Sequence, residues 1–131
     1  MVVRDMGYRV VDTDDVEPTA GRPSELRRIG VEAGAENVAL NHFRAAPGDQ
    51  IPLMYHYHTE QEEAFYVLSG TLFVETPDET FEVPSGGLFV ADPESPHRAY
   101  NPLDASDPVE LLAVGAPAVT GDAARYDPDD E

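Results

Sequence analysis

The chain has no cysteine, no tryptophan and no lysine. The first absence removes disulfides, thiolate metal ligands and a cysteine nucleophile together, so any metal must rest on nitrogen and oxygen. Long apolar runs are missing too. None approaches the ~20 residues that an α-helix needs to cross a bilayer, and the reading is of a soluble protein. Met1-Val2-Val3-Arg4-Asp5 lacks the basic-then-apolar build of a secretory signal, which points to the cytoplasm. Positive charge is scarce: all eight basic residues are arginine, against 26 acidic ones, for a formal net charge of -18. Such a surface repels nucleic acid and anionic membrane, and it repels itself in the compact state. Molar salt shortens the screening length to about 3 Å and lifts that repulsion, so the composition predicts a halophilic source.

What is present reads as one domain, since 131 residues bury roughly two thirds of the surface that the unfolded chain exposes. Tyr8 to Val11 reads as an edge strand, Asp12 to Pro23 as turn and loop, and Ser24 to Val31 as a further strand broken by Gly34. From Asn37 to Ala45 the alternation is plain, with Val38, Leu40, His42 and Arg44 on one face and Ala39, Asn41, Phe43 and Ala45 on the other. Thr71 to Thr76 and Thr80 to Val83 flank a hairpin turn at Pro77-Asp78-Glu79. Leu88 to Ala91 follows the turn Pro84 to Gly87, and Val109 to Val114 supplies a last apolar strand. Short strands with closely spaced turn signals and no convincing helix give an all-β sandwich or barrel. The organisation is an N-terminal arm with edge strands over 1–33, the all-β body over 34–117, and an acidic C-terminal tail over 118–131 that is mobile from Thr120.

The chemistry concentrates in Tyr55 to Gly70. Side chains at i and i+2 of a strand share a face, so His56 and His58 present two imidazoles side by side, a two-toothed clamp for a metal. Glu63 then opens a run in which Glu63, Phe65 and Val67 face inward and Ala64, Tyr66 and Leu68 face outward. Both sides of that strand are apolar, so something must cover the outer one, either the N-terminal arm or a second subunit. Downstream, Asp92 to Asn101 offers a third imidazole at His97. Glu62 competes with Glu63 on spacing, but alternation with Phe65 and Val67 selects Glu63; Glu60 and Glu62 read as a solvated acidic face. His42 could line the barrel as a proton carrier, and more often such a residue is a satisfied interior or rim histidine. The five phenylalanines read first as core.

Together the two stretches resemble the paired signatures of the cupin superfamily. The first signature is met at His56, His58, Glu63 and Gly70, the second at Gly86, His97 and Asn101. Seven residues separate Gly48 from His56, two more than the signature has, and Asp92 and Glu94 stand in place of its proline and second glycine. The resemblance implies a jelly-roll β-barrel of the small single-domain kind. It also implies a divalent transition metal (Fe, Mn, Ni, Co, Cu or Zn) on His56, His58, Glu63 and His97, with positions left open for a small oxygen-rich ligand. Cupins commonly dimerise, so a homodimer is expected. Imidazole must be neutral to ligate, so metal should be lost as pH falls below about 6.5. The implied function is a metal-dependent dioxygenase, isomerase or lyase; the alternative is a non-catalytic binding or sensor module, because the fold hosts both.

Overall fold

The computed structural model describes residues 2–5, 7–119 and 121–128. In chain order the elements are β1 (Val2–Asp5), β2 (Tyr8–Val11), β3 (Glu25–Arg27), α1 (Ile29–Ala33), β4 (Ala39–Ala45), β5 (His56–His58), β6 (Glu62–Ser69), β7 (Leu72–Glu75), β8 (Thr80–Val83), β9 (Leu88–Ala91), β10 (Arg98–Tyr100), β11 (Val109–Ala116) and β12 (Ala123–Arg125). β1 and β2 form a hairpin of their own. The rest make two layers. One is a five-stranded antiparallel sheet in the order β3-β4-β11-β6-β9. The other joins β10-β7-β8 to β12-β5 through isolated bridges at His56–His97 and Gln50–Tyr100. This is the jelly roll, or double-stranded β-helix, that the cupin resemblance implies, and it meets the all-β expectation of the strand pattern.

Alternation decides what lies between the layers. In β11, Val109, Leu111 and Ala113 are buried, and Leu111 pairs with Phe43 on one side and Val67 on the other. These meet Leu72, Val74, Val83 and Ala99 from the second layer in one apolar cluster. Each such side chain contributes about 1.5–3 kcal/mol by leaving water. Gly70, which closes the β6 run, has φ +77°, and a Cβ there would lie 2.5 Å from the Pro108 carbonyl oxygen, so only glycine fits. Asn101, fully buried, donates its amide protons to the carbonyls of Ala45 (3.1 Å) and Asp107 (2.9 Å) and ties the end of β10 to β4.

Two expectations are corrected, and one that the sequence left open, the direction of His42, is decided. The strand expected over Ser24 to Val31 stops at Arg27, and a five-residue helix follows. Gly30 packs against the Leu40 backbone, Gly34 ends the helix in the left-handed region, and Arg9 donates to the Ala33 and Gly34 carbonyls at 2.6 and 2.9 Å. A cation at a helix C-terminus satisfies carbonyls that have no partner within the helix. The tail is not loose over 121–128, because Ala123–Arg125 pairs with His56–His58. His42 does not line the barrel: Phe43 and Ala45 occupy the inner face of β4, so His42 points outward toward Glu110, Nε2 to Oε1 3.5 Å.

Candidate metal centre

Two backbone hydrogen bonds bring the distant motifs together. His97 N–H donates to the His56 carbonyl at 2.9 Å, and His56 N–H returns the bond at 3.3 Å. Their rings consequently lie 4.9 Å apart, centroid to centroid. The turn before His97 is fixed by Glu94, whose N–H donates to the His58 carbonyl at 2.6 Å. Glu94 adopts φ +66°, the conformation that the signature's glycine would supply at no steric cost.

All three rings are held from behind in the same way. Nδ1 of His56 lies 3.0 Å from the Met54 carbonyl, Nδ1 of His97 2.8 Å from the Ser95 carbonyl, and Nδ1 of His58 2.9 Å from Oδ1 of Asp122. Those oxygens can only accept, so each Nδ1–H donates and Nε2 is the ring nitrogen that can ligate a metal once any proton it carries is displaced. The three Nε2 atoms face one carboxylate: Oε1 of Glu63 is 2.7 Å from His97, 3.6 Å from His58 and 3.8 Å from His56. His56 and His58 approach each other at 3.2 Å, Nε2 to Nε2. Ligand atoms of His56, Glu63 and His97 all lie within 4.8 Å of one another. The structure thus brings together all four residues singled out from sequence, and Glu62 is exposed, turned away as the alternation requires. Contacts this short between lone pairs need a proton or a cation between them.

Electrostatics follow the geometry. Burial pushes the His56 imidazole below its ordinary value, against the opposing pull of Glu63, so the ring is neutral near pH 7. His58, held between Glu63 and Asp122, is raised to about 9. Burial would raise Glu63, but the imidazoles of His58 and His97 outweigh it and hold the carboxyl at about 2. Asp122 is likewise lowered: its burial is outweighed by His58 and by the N–H groups of Gln61 and Glu60, which donate to Oδ2 at 2.9 and 3.3 Å.

Asp122 is the site residue that sequence reasoning missed. It sits in an acidic stretch whose neighbours, Gly121, Ala123 and Ala124, carry no hydrophobic period. The small residues after it were the available signal, since they let β12 lie flat on the clamp strand. Gln61 was missed as well. It is buried beside Gly115, where a Cβ would collide with its side chain, and its amide donates to the Pro117 carbonyl at 3.1 Å.

Above the four side chains a cavity of about 300 Å³ opens between the layers. Its wall is largely apolar, with Phe43, Ile51, Met54, Phe65 and Ala113, and Arg22 and Arg28 lie at its edge. Apolar walls with a few convergent polar groups are the usual make-up of a small-molecule site.

Comparison with known proteins agrees with this architecture. The cupin domain family profile matches residues 41–115. The chain is 29% identical to the polyketide synthase protein CurC of Streptomyces cyaneus, over 92% of this chain and 87% of that one. Its fold is similar to the polyketide cyclase RemF from Streptomyces resistomycificus, with TM-score 0.74, 24% identity, and 90% and 84% of the two chains covered. It is also similar to a sugar phosphate isomerase from Silicibacter pomeroyi, with TM-score 0.69, 26% identity, and 82% and 74% covered. A profile match across more than half of the sequence, on a two-layered β fold, establishes that this chain belongs to the cupin family.

Proposed function

We propose that the protein is a metal-dependent enzyme that works on a carbon beside a carbonyl group, in a small oxygen-rich substrate. His56, His58, Glu63 and His97 would hold the divalent metal. The observation that carries this reading is the common anchoring of the three rings, each with Nδ1–H spent on an oxygen and Nε2 turned to Glu63. Three nitrogen donors and one carboxylate suit the first-row ions from Fe to Zn, and the donor chemistry therefore fits. When bound, such an ion supplies Lewis acidity toward a substrate oxygen. The chain's own contribution is to hold the rings still, to keep the Nδ1–H of His58 donating to Asp122, and to exclude water with Phe43, Phe65 and Met54.

The similar proteins support this choice of chemistry. Ring closure of a carbonyl chain and isomerisation of a sugar phosphate both need a proton removed beside a carbonyl, a step that a Lewis acid promotes. Elemental analysis of untagged protein gives the first test, with one metal per chain expected. Deuterium uptake from D₂O at the α-carbon of hydroxyketones and 1,3-diketones, with Fe(II), Mn, Ni or Zn added, gives the second. Uptake above that of the His97→Ala variant supports the enzyme; saturable binding with no exchange and no product would make the protein a binding module instead.

The reading includes a homodimer. On the outer face of β6 and β9, Tyr66, Leu68, Leu88 and Val90 are 42–60% exposed and adjacent, with Tyr66 paired to Leu88. A second copy covering that patch is the occupant we favour, and a monomer mass by light scattering in molar salt would remove it. The charge of -18 supports a protein suited to concentrated salt, checked by a melting temperature that rises from low to molar salt.

A further inference from the structure

The edge of the cavity carries a second, separate piece of chemistry. Arg22 and Arg28 both line it, and neither guanidinium makes an ion pair or hydrogen bond among the described residues. In this chain that is costly to neglect. Carboxylates outnumber arginines by 26 to 8, and Arg27 and Arg98 have found theirs at 2.9 and 3.0 Å, on Glu25 and Glu75. Arg22 goes further: its Nε is buried with no hydrogen-bond partner among the described residues. A buried guanidinium N–H left unmet is destabilising, the more so because it is charged. Burial, and then the neighbouring charge of Arg28, push the Arg22 guanidinium below its ordinary value, so the two cations destabilise one another as they stand.

Their position is fixed by the fold. β3 runs between them, and Leu26 at its centre is buried in the core, so the loop before β3 and the residue that starts α1 are pinned at the same edge of the cavity. Of the residues lining the cavity, only Glu63 is acidic, and it is turned to the histidines. Around a cavity in a strongly acidic protein, two unpaired arginines form a local positive region that draws in anions and fits the two oxygens of a carboxylate.

We propose that Arg22 and Arg28 form a carboxylate-binding subsite, so that the ligand of this cavity is an apolar, aromatic-sized body bearing a carboxylate, with its reacting oxygens directed at the histidine cluster. The inference deepens the enzyme reading above and rests on it for the placement of the reacting end. The carboxylate would meet the unpaired Arg22 Nε and relieve the repulsion between the two guanidinium groups, while Phe43, Ile51 and Phe65 take the apolar body.

The test uses 3-hydroxy-2-naphthoate and its neutral counterpart 3-hydroxy-2-naphthamide, titrated into the full chain by fluorescence at fixed ionic strength. Both arms are run with zinc-loaded and with EDTA-treated protein, and zinc binding is measured by equilibrium dialysis. The naphthoate should bind about tenfold or more tighter than the amide, as expected for a charge-assisted pair. Arg22→Gln and Arg28→Gln should each lower naphthoate affinity about tenfold, leave the amide within about twofold, leave zinc stoichiometry unchanged, and leave the melting temperature no lower than that of the wild type. Arg22→Lys should recover only part, because a point charge does not reproduce the planar fork. Equal binding of acid and amide, or naphthoate affinity indifferent to both variants, would overturn the subsite. Failure of the wild type to hold zinc would instead overturn the metal reading, and the EDTA-treated arm then still decides whether the arginines bind the carboxylate.

Discussion

His58 and His42 are nearly equal in exposure, at 14% and 16% of the side chain, and each has a carboxylate close to its Nε2. One stands inside the barrel and the other outside. Burial and an acidic neighbour therefore do not separate them. What does is the far side of the ring. Nδ1 of His58 donates to Asp122, which is itself fixed by two backbone N–H groups, whereas Nδ1 of His42 is buried and meets no partner among the described residues. A ring anchored at Nδ1 has one tautomer and one direction in which to offer its lone pair; an unanchored ring has neither. The same anchoring recurs at His56 and His97, each on the carbonyl two residues back.

The comparison breaks most visibly at the cluster itself. His97→Ala or Glu63→Gln should weaken zinc or nickel binding by about a hundred- to a thousandfold, because each removes one of four donors sharing a binding energy of about 10–16 kcal/mol. His42→Ala should leave affinity within about twofold. Competition against a chelating dye measures both, and a His42 variant as damaging as a His97 variant would erase the distinction between the two faces.

A smaller effect comes from Asp122. Asp122→Asn keeps the shape but removes the carboxylate behind His58, and affinity should fall about 10- to 100-fold, the usual cost of losing such a partner. The pH dependence sharpens this. His58 is raised from its ordinary 6.5 to about 9, so in the metal-free protein its proton stabilises the fold fully below pH 6.5, and that contribution is lost as pH rises through 9. A cation must displace the same proton. Nickel affinity should consequently climb about tenfold per pH unit between 6.5 and 9 and then flatten, higher than the loss near 6.5 expected from unperturbed histidines. In Asp122→Asn the flattening should arrive at lower pH; a plateau at the same pH would show that Glu63 alone sets the shift.

The inner end of the barrel was largely legible in the sequence. Alternation along β6 placed Glu63, Phe65 and Val67 inward and put His56 and His58 on one face, because strand periodicity is a local property; that His97 joins them was implied by the resemblance to the paired cupin signatures. What was not legible depends on contacts between segments far apart in sequence. Asp122 reaches His58 across 64 residues, from a three-residue strand too short to show a period. The α1 turn, at five residues, is also shorter than the window in which a helical period can be read. The inner face of β4 was ambiguous because both faces mix apolar and polar residues, and only pairing with β11 decided that Phe43 rather than His42 points in.

The smallest effect tests whether the turn that delivers His97 is strained or chosen. At φ +66° the Cβ of Glu94 crowds its own carbonyl, at about 1–2 kcal/mol relative to glycine. Glu94→Gly removes that strain but loosens the unfolded chain, which takes back roughly 0.5–1 kcal/mol. The difference should be a gain of about 0.5–1 kcal/mol, seen as a melting temperature higher by roughly 3 °C, with metal affinity unchanged within about twofold because the Glu94 N–H still donates to His58. A variant that melts lower would mean that the Glu94 side chain holds the turn by more than its backbone strain costs. His97 would then be positioned by a side chain particular to this sequence, and the departure from the cupin signature would be part of how this site is built.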